Sequence, residues 1–147
     1  MGLYEDLCMA NENVEIKETS RLPSFQPGCY MNGEIFIKNN ISDIRKAEVL
    51  FEELGHHEKT YGNILDQSKW INRKFENYAV RHGYQAALPL RLIIESYHYG
   101  ISNLHELAEY VELSEEYIIK VIEFYKKKYG LSTYYKGYVI KFEPLQV

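Results

Sequence analysis

Two periodicities run along the chain, and the changes between them mark its elements. Leu3, Leu7 and Ala10 recur at helical spacing, which predicts a short first helix over residues 3–12, ended by Asn11 and Asn13. Val14 to Thr19 then alternates apolar and polar positions with period two, the pattern of a strand. Pro23 and Pro27-Gly28 mark a loop. In CYMNGEIFIKN, Asn32-Gly33 stands between two β-rich runs, a strong hairpin signal. The first third therefore reads as a helix followed by a small antiparallel sheet.

From Ser42 onward the helical period takes over. Ser42 is a good N-cap, Asp43 suits the first turn, and Ile44, Ala47, Leu50, Phe51 and Leu54 predict a helix over 43–58 that ends before Tyr61-Gly62-Asn63. Ser68 caps a third helix over 69–87, which Pro89 stops, with Trp70, Phe75 and Tyr78 read as core. Residues 90–99 form a short apolar helix ended by Gly100. Asn103 or Ser102 caps LHELAEYV, and Ser114 caps a helix closed by Gly130. TYYKGYVIKF reads as a terminal hairpin turning at Lys136-Gly137. The fold class is α+β, mainly helical, as a single domain over 1–147. Residues 1–89 hold the sheet and the helices that carry the candidate chemistry, and 90–147 form a helical region with the terminal hairpin.

Composition narrows the classes. Hydrophobic residues make up 46% and charged ones 26% of 147 residues, which excludes intrinsic disorder. No apolar run approaches the roughly 20 residues of a membrane span. The start, MGLYEDLCMA, has neither the basic nor the apolar region of a secretory signal and no myristoylation pattern, so a cytoplasmic protein is expected. Cys8 and Cys29 are expected as reduced, partly buried thiols, with a two-cysteine metal site as the minor alternative. A net charge of -4 argues against broad affinity for nucleic acid. Fourteen tyrosines suit a thin core that hydrogen-bonds from its edges.

The stretch that carries chemistry is Phe51-Glu52-Glu53-Leu54-Gly55-His56-His57. Glu52 and His56 are i and i+4 on the predicted helix, stacked one turn apart, so both can reach one metal ion. Glu53 is rotated about 100° from Glu52 and can reach a water on that ion. This is the spacing of the His-Glu-x-x-His motif, in which two residues bind metal and the Glu is the general base. The bland alternative is an amphipathic helix whose polar face carries these residues as surface charges.

On EELGHH, on the hairpin before it, on NRKFENYAVRHGYQAALP after it, and on the later helices and hairpin, nearly the whole chain resembles the ImmA/IrrE family of metallopeptidases. The likeness is to the family's short form from phages and integrated mobile elements. There Glu-Glu-(Leu/Ile)-Gly-His-(His/Tyr) often stands in place of His-Glu-x-x-His. The resemblance implies a small zincin-like domain with a bound zinc ion. It implies limited proteolysis of a helix-turn-helix repressor encoded nearby, relieving repression of the mobile element. It places the catalytic glutamate on Glu53 and the second histidine on His56. The downstream glutamate ligand falls on Glu76, in a Glu-x-x-Ala pattern with Ala79, before Leu88-Pro89. The first histidine falls on Glu52, the main departure. One His and two Glu make a harder, more anionic set than His₂Glu, so manganese or iron become alternatives to zinc, as does a weak or absent metal. His57 is either an added ligand or a residue behind the ligands or facing substrate. For the donor that stabilises an oxyanion, His82, Tyr61 and Tyr78 are unranked candidates.

Two further classes compete. Residues 103–129 have the outline of a helix-turn-helix, with 132–143 as a wing and Lys120, Lys126, Lys127, Lys128, Lys136 and Lys141 as a basic end. Against a DNA-binding regulator, the second helix opens with Glu115 and Glu116 and holds no arginine. The other class is an interaction protein on a peptidase fold that has lost catalysis, which Glu52 keeps open. His98 and His105 read as surface or packed histidines.

Overall fold

A computed structural model describes the backbone of residues 2–59 and 69–147, and the side chains of 2–58 and 77–147. The chain forms two compact units, residues 1–83 and 84–147. The expected Ser68 cap and the stop before Tyr61 lie outside the described residues, as do the side chains of Trp70 and Phe75.

The first unit runs α1 (Leu3–Ala10), β1 (Glu15–Thr19), β2 (Gly28–Met31), β3 (Glu34–Lys38), α2 (Asp43–Lys59) and the start of α3 (Lys69–Ala87). The β2–β3 hairpin is antiparallel, with Tyr30 opposite Ile35. Its turn has positive φ at both Asn32 (53°) and Gly33 (81°), the backbone that Asn-Gly adopts most cheaply. The sheet as a whole is mixed, because β1 pairs parallel with β3, Ile16 opposite Ile35, in the order β1-β3-β2. The connection from β1 to β2 leaves a gap one strand wide, and β3 fills it. Period-two alternation fixes which face of β1 is buried but not its neighbour.

Ile35 and Ile37 of β3 are fully buried against Ala47, Val49 and Leu50 of α2, with Tyr4 and Val14 closing the core. The Ser42 side chain accepts from the Arg45 amide at 3.1 Å, the expected cap. Ile44, read from periodicity as core, is 45% exposed in the first turn, and Val49 takes the buried place. Lys46 is buried despite its charge. Its ammonium donates to Glu18 at 2.9 Å, and Glu18 also accepts from the Tyr4 hydroxyl at 2.9 Å, joining α2, β1 and α1. Beyond the core, α2 meets α3 at backbone distance. A Cβ on Gly55 would collide with the Ala79 carbonyl, and one on Gly83 would stand 3.1 Å from the Phe51 carbonyl oxygen. Tyr78, expected in the core, is 40% exposed, and the Arg81 guanidinium lies 5.0 Å from its ring centre.

The second unit holds α4 (Leu90–His98), α5 (Leu104–Val111), α6 (Glu115–Tyr129), β4 (Ser132–Tyr135), β5 (Tyr138–Phe142) and β6 (Leu145–Gln146). Asn103 caps α5 by accepting from the Glu106 amide at 2.8 Å, and Ser114 caps α6 by accepting from the Tyr117 amide at 3.1 Å. The expected hairpin gains a third strand, since β6 pairs antiparallel with β5. Tyr125 shows the role foreseen for tyrosine here. It is 2% exposed, stacks on Phe142, and its hydroxyl donates to the Leu88 carbonyl at 2.8 Å. The chain is thus α+β, with one small sheet in each unit.

Candidate active site

The last two turns of α2 deliver the candidate residues, and β2 forms the wall opposite. A cavity of about 380 Å³ lies between the loop Phe25–Pro27, β2 and α2. Glu52, Glu53 and His56 all line it, as helical spacing predicts, together with Cys29 and Tyr30 of β2. Glu52 and His56 are partly exposed, whereas Glu53 is only 8% exposed.

Glu53 owes its place to Gly28. A Cβ there would overlap Val49 Cγ1 and come within 2.9 Å of Glu53 Oε2 and 3.2 Å of Glu53 Cγ. The carboxylate side chain therefore lies directly on the β2 backbone. Two residues along the same face of the strand, the Tyr30 hydroxyl is hydrogen-bonded to His57 Nδ1 at 3.1 Å, with the two rings edge to face. Strand residues 28 and 30 thus meet helix residues 53 and 57. The match is geometric: two residues of strand rise about 6.7 Å and four residues of helix about 6 Å. His57, left open by the sequence between metal ligand and outer residue, has Nδ1 engaged by Tyr30.

Burial, and then the charge of Glu53, push the Cys29 thiol above its ordinary pKa, so it is a poor nucleophile here. Neither cysteine is in a disulfide, and both are partly buried.

Glu52 and His56 offer a carboxylate and an imidazole one turn apart beside Glu53, a donor set suited to a divalent cation. Glu76 occupies α3 one turn before Ala79, which abuts Gly55 of the motif, and its side chain lies outside the described residues. Among the described residues, no cluster of three His, Cys, Asp or Glu side chains closes on a single point. Of the oxyanion-donor candidates, Tyr78 and His82 do not line the cavity, and Tyr61 lies outside the described residues. Sequence reasoning did not place Tyr30 or Cys29 beside the motif helix. The available signal was that Gly28 and Tyr30 share one face of a strand beside the motif helix.

Residues 11–123 match the IrrE N-terminal-like domain model (Peptidase_M78). The chain belongs to this family. The matched span takes in the hairpin, α2, α3, α4, α5 and more than half of α6. The helix-turn-helix outline of α5 and the start of α6 is thus part of the IrrE-like domain. Among curated proteins none matches this chain. No described helix of this IrrE-like chain is long and apolar enough to cross a membrane.

Proposed function

We propose that this IrrE-like chain is a metal-dependent endopeptidase that cleaves a helix-turn-helix repressor of a phage or mobile element, in the cytoplasm. The observation that carries the reading is the seat of Glu53. A nearly buried carboxylate, backed by Gly28 and Val49, lines the same cavity as Glu52 and His56. Glu52, His56 and Glu76 would hold the cation, with zinc the first candidate and manganese or iron the alternatives. When bound, the ion supplies Lewis acidity and makes its water more acidic. Glu53 would serve as the general base toward the attacking water and as the proton donor to the leaving amine. Its side chain rests on the β2 backbone at Gly28 and faces the cavity, the placement a general base needs. Glu52 in place of a histidine would make the donor set more anionic than His₂Glu.

The test has two parts. Elemental analysis of protein purified without chelator or tag metal is expected to find about one zinc, manganese or iron per chain, lost in His56→Ala. Glu53→Gln is expected to keep the metal and lose cleavage of the neighbouring repressor, read by intact-mass spectrometry. Cleavage at the wild-type rate by Glu53→Gln would remove Glu53 from its role. Absence of metal after loading with each ion would favour the second reading, a catalytically silent interaction protein, for which the exchange of histidine for Glu52 speaks. The DNA-binding reading loses ground on geometry. The opening of α6 is acidic, and His105 lies between Glu109 (3.1 Å) and Glu115 (3.3 Å), where a recognition helix would meet bases.

A further inference from the structure

We propose that the groove between α4, α5, α6 and the β6 segment docks a basic amphipathic helix of a protein partner. Resting on the peptidase reading above, that partner is the repressor, engaged through the basic surface with which it meets DNA.

The groove lies wholly within the second unit and encloses about 630 Å³. Its floor is buried and apolar, built by Ile93, Leu107 and Ile118. Three polar side chains that line it are already engaged within the fold. Ser96 donates to the Leu92 carbonyl at 2.7 Å, and Ser102 and Asn103 donate to the Glu106 carboxylate at 3.1 and 2.9 Å. An occupant therefore meets mostly apolar surface. The lips indicate its size. Tyr97 and Ile119 line the groove yet are 49% and 50% exposed. A small apolar ligand is enclosed by its site, whereas here the apolar surface continues outward onto the face of the unit, as it does where a protein docks. A groove between helices takes the apolar stripe of another helix.

Charge selects the partner. Glu115, Ile119 and Glu123 recur every four residues on α6 and so share one face, and Glu123 itself lines the groove. Glu106 backs the polar wall, and Glu143 precedes the lining residue Pro144. Against these four carboxylates stand Lys126, 3.4 Å from Glu123 and 2.9 Å from Glu143, and His105, 3.3 Å from Glu115. Lys120 follows Ile119 and points about 100° away on the helix. The rim is thus net acidic. Such a rim repels nucleic-acid phosphate and attracts lysine and arginine. A protein that binds DNA carries those residues on its binding face.

The test uses the full chain carrying Glu53→Gln, so that nothing is cleaved. A labelled peptide of about 18 residues, with Leu and Lys placed at helical period, is titrated by fluorescence anisotropy. It is expected to bind, more weakly as salt rises from about 50 to 200 mM, and the same peptide with Glu for Lys is expected not to bind. Ile119→Ser is expected to raise Kd roughly tenfold, and Glu123→Gln to reduce the salt dependence. Val139→Ser, at a residue 53% exposed on β5 and outside the groove, should leave Kd unchanged. Urea midpoints report that each variant folds. An unchanged Kd in Ile119→Ser, or equal binding of the acidic peptide, would overturn the proposal. So would a DNA duplex that displaces the basic peptide, since it would assign the face to nucleic acid. On the repressor, Ile119→Ser in the otherwise wild-type chain is expected to raise KM about tenfold with kcat unchanged. An unchanged KM, with peptide binding lost, removes the repressor as the partner. An active Glu53→Gln overturns the peptidase reading, and the peptide titration still decides the groove.

Discussion

Replacing Gly28 by Ala tests the contact that seats the candidate base. The added methyl meets two neighbours that differ in how they can yield. Val49 Cγ1 lies inside any tolerable contact, and Val49 is 2% exposed and β-branched, so it cannot rotate away cheaply. Glu53 Oε2 would be at 2.9 Å, against an ordinary contact of 3.4–4 Å, and its side chain has torsions with which to retreat. Overpacking of this kind costs about 1–3 kcal/mol, and a carboxylate displaced by about 1 Å costs about 10²-fold in turnover. Gly28→Ala is thus expected to lower the urea midpoint with an unchanged slope and to reduce cleavage sharply. The two effects separate in a cycle with Val49→Ala. Removing the valine γ-carbons makes room for the new methyl, so the double variant is expected to be more stable than the sum of the single losses, by about 1 kcal/mol or more of coupling. Glu53 remains displaced in the double variant, so activity stays low. Additive losses within about 0.5 kcal/mol would show that the added methyl does not meet Val49, and full activity in Gly28→Ala would show that Gly28 does not seat Glu53 as described.

Two further predictions concern stability. The hydrogen bond from the Lys46 ammonium holds the Glu18 carboxyl below its ordinary value of 4.5, with the Tyr4 hydroxyl adding to it. A depressed carboxyl pKa stabilises the fold fully above the unfolded value and progressively less as pH falls through the folded one. Lys46→Met should therefore cost of order 1 kcal/mol or less near neutrality, the Glu18 side chain being 40% exposed and screened. It should also flatten the loss of stability below about pH 4.5; an unchanged acid limb in urea titrations would count against the pairing. Lys136 holds φ at 44° before Gly137, so Lys136→Asn should raise stability by about 0.5–1 kcal/mol, because asparagine tolerates that backbone better. A drop in the thermal midpoint would contradict this.

What was legible in the sequence is what depends on neighbours along the chain. Helix starts at Ser42, Asn103 and Ser114 were readable because a cap bonds an amide three residues on. The Asn32-Gly33 turn and the i, i+4 relation of Glu52 to His56 are equally local. The direction of β1 was not legible, since it depends on β3 entering a gap that β1 and β2 leave open. Nor was burial at Lys46, because its partner Glu18 is 28 residues away. Ile44 shows the reverse error, an apolar residue at the right spacing that is 45% exposed.

The motif shows how local chemistry and distant packing share six residues. Successive helical positions point about 100° apart, so Glu52 to His57 address different neighbours. Glu52 and His56 face the cavity, and Glu53 rests on Gly28. Leu54 joins the core, Gly55 admits the Ala79 carbonyl of α3, and His57 takes Tyr30. Read as chemistry alone, Gly55 is a spacer between ligands. In the fold it is the residue that lets α3 approach, and α3 carries Glu76 one turn from that contact. A side chain at Gly55 would push back the helix that bears the proposed third ligand. Gly55 and Ala79 are therefore two sides of one contact, which brings the backbone that bears the proposed ligand Glu76 up to the motif helix.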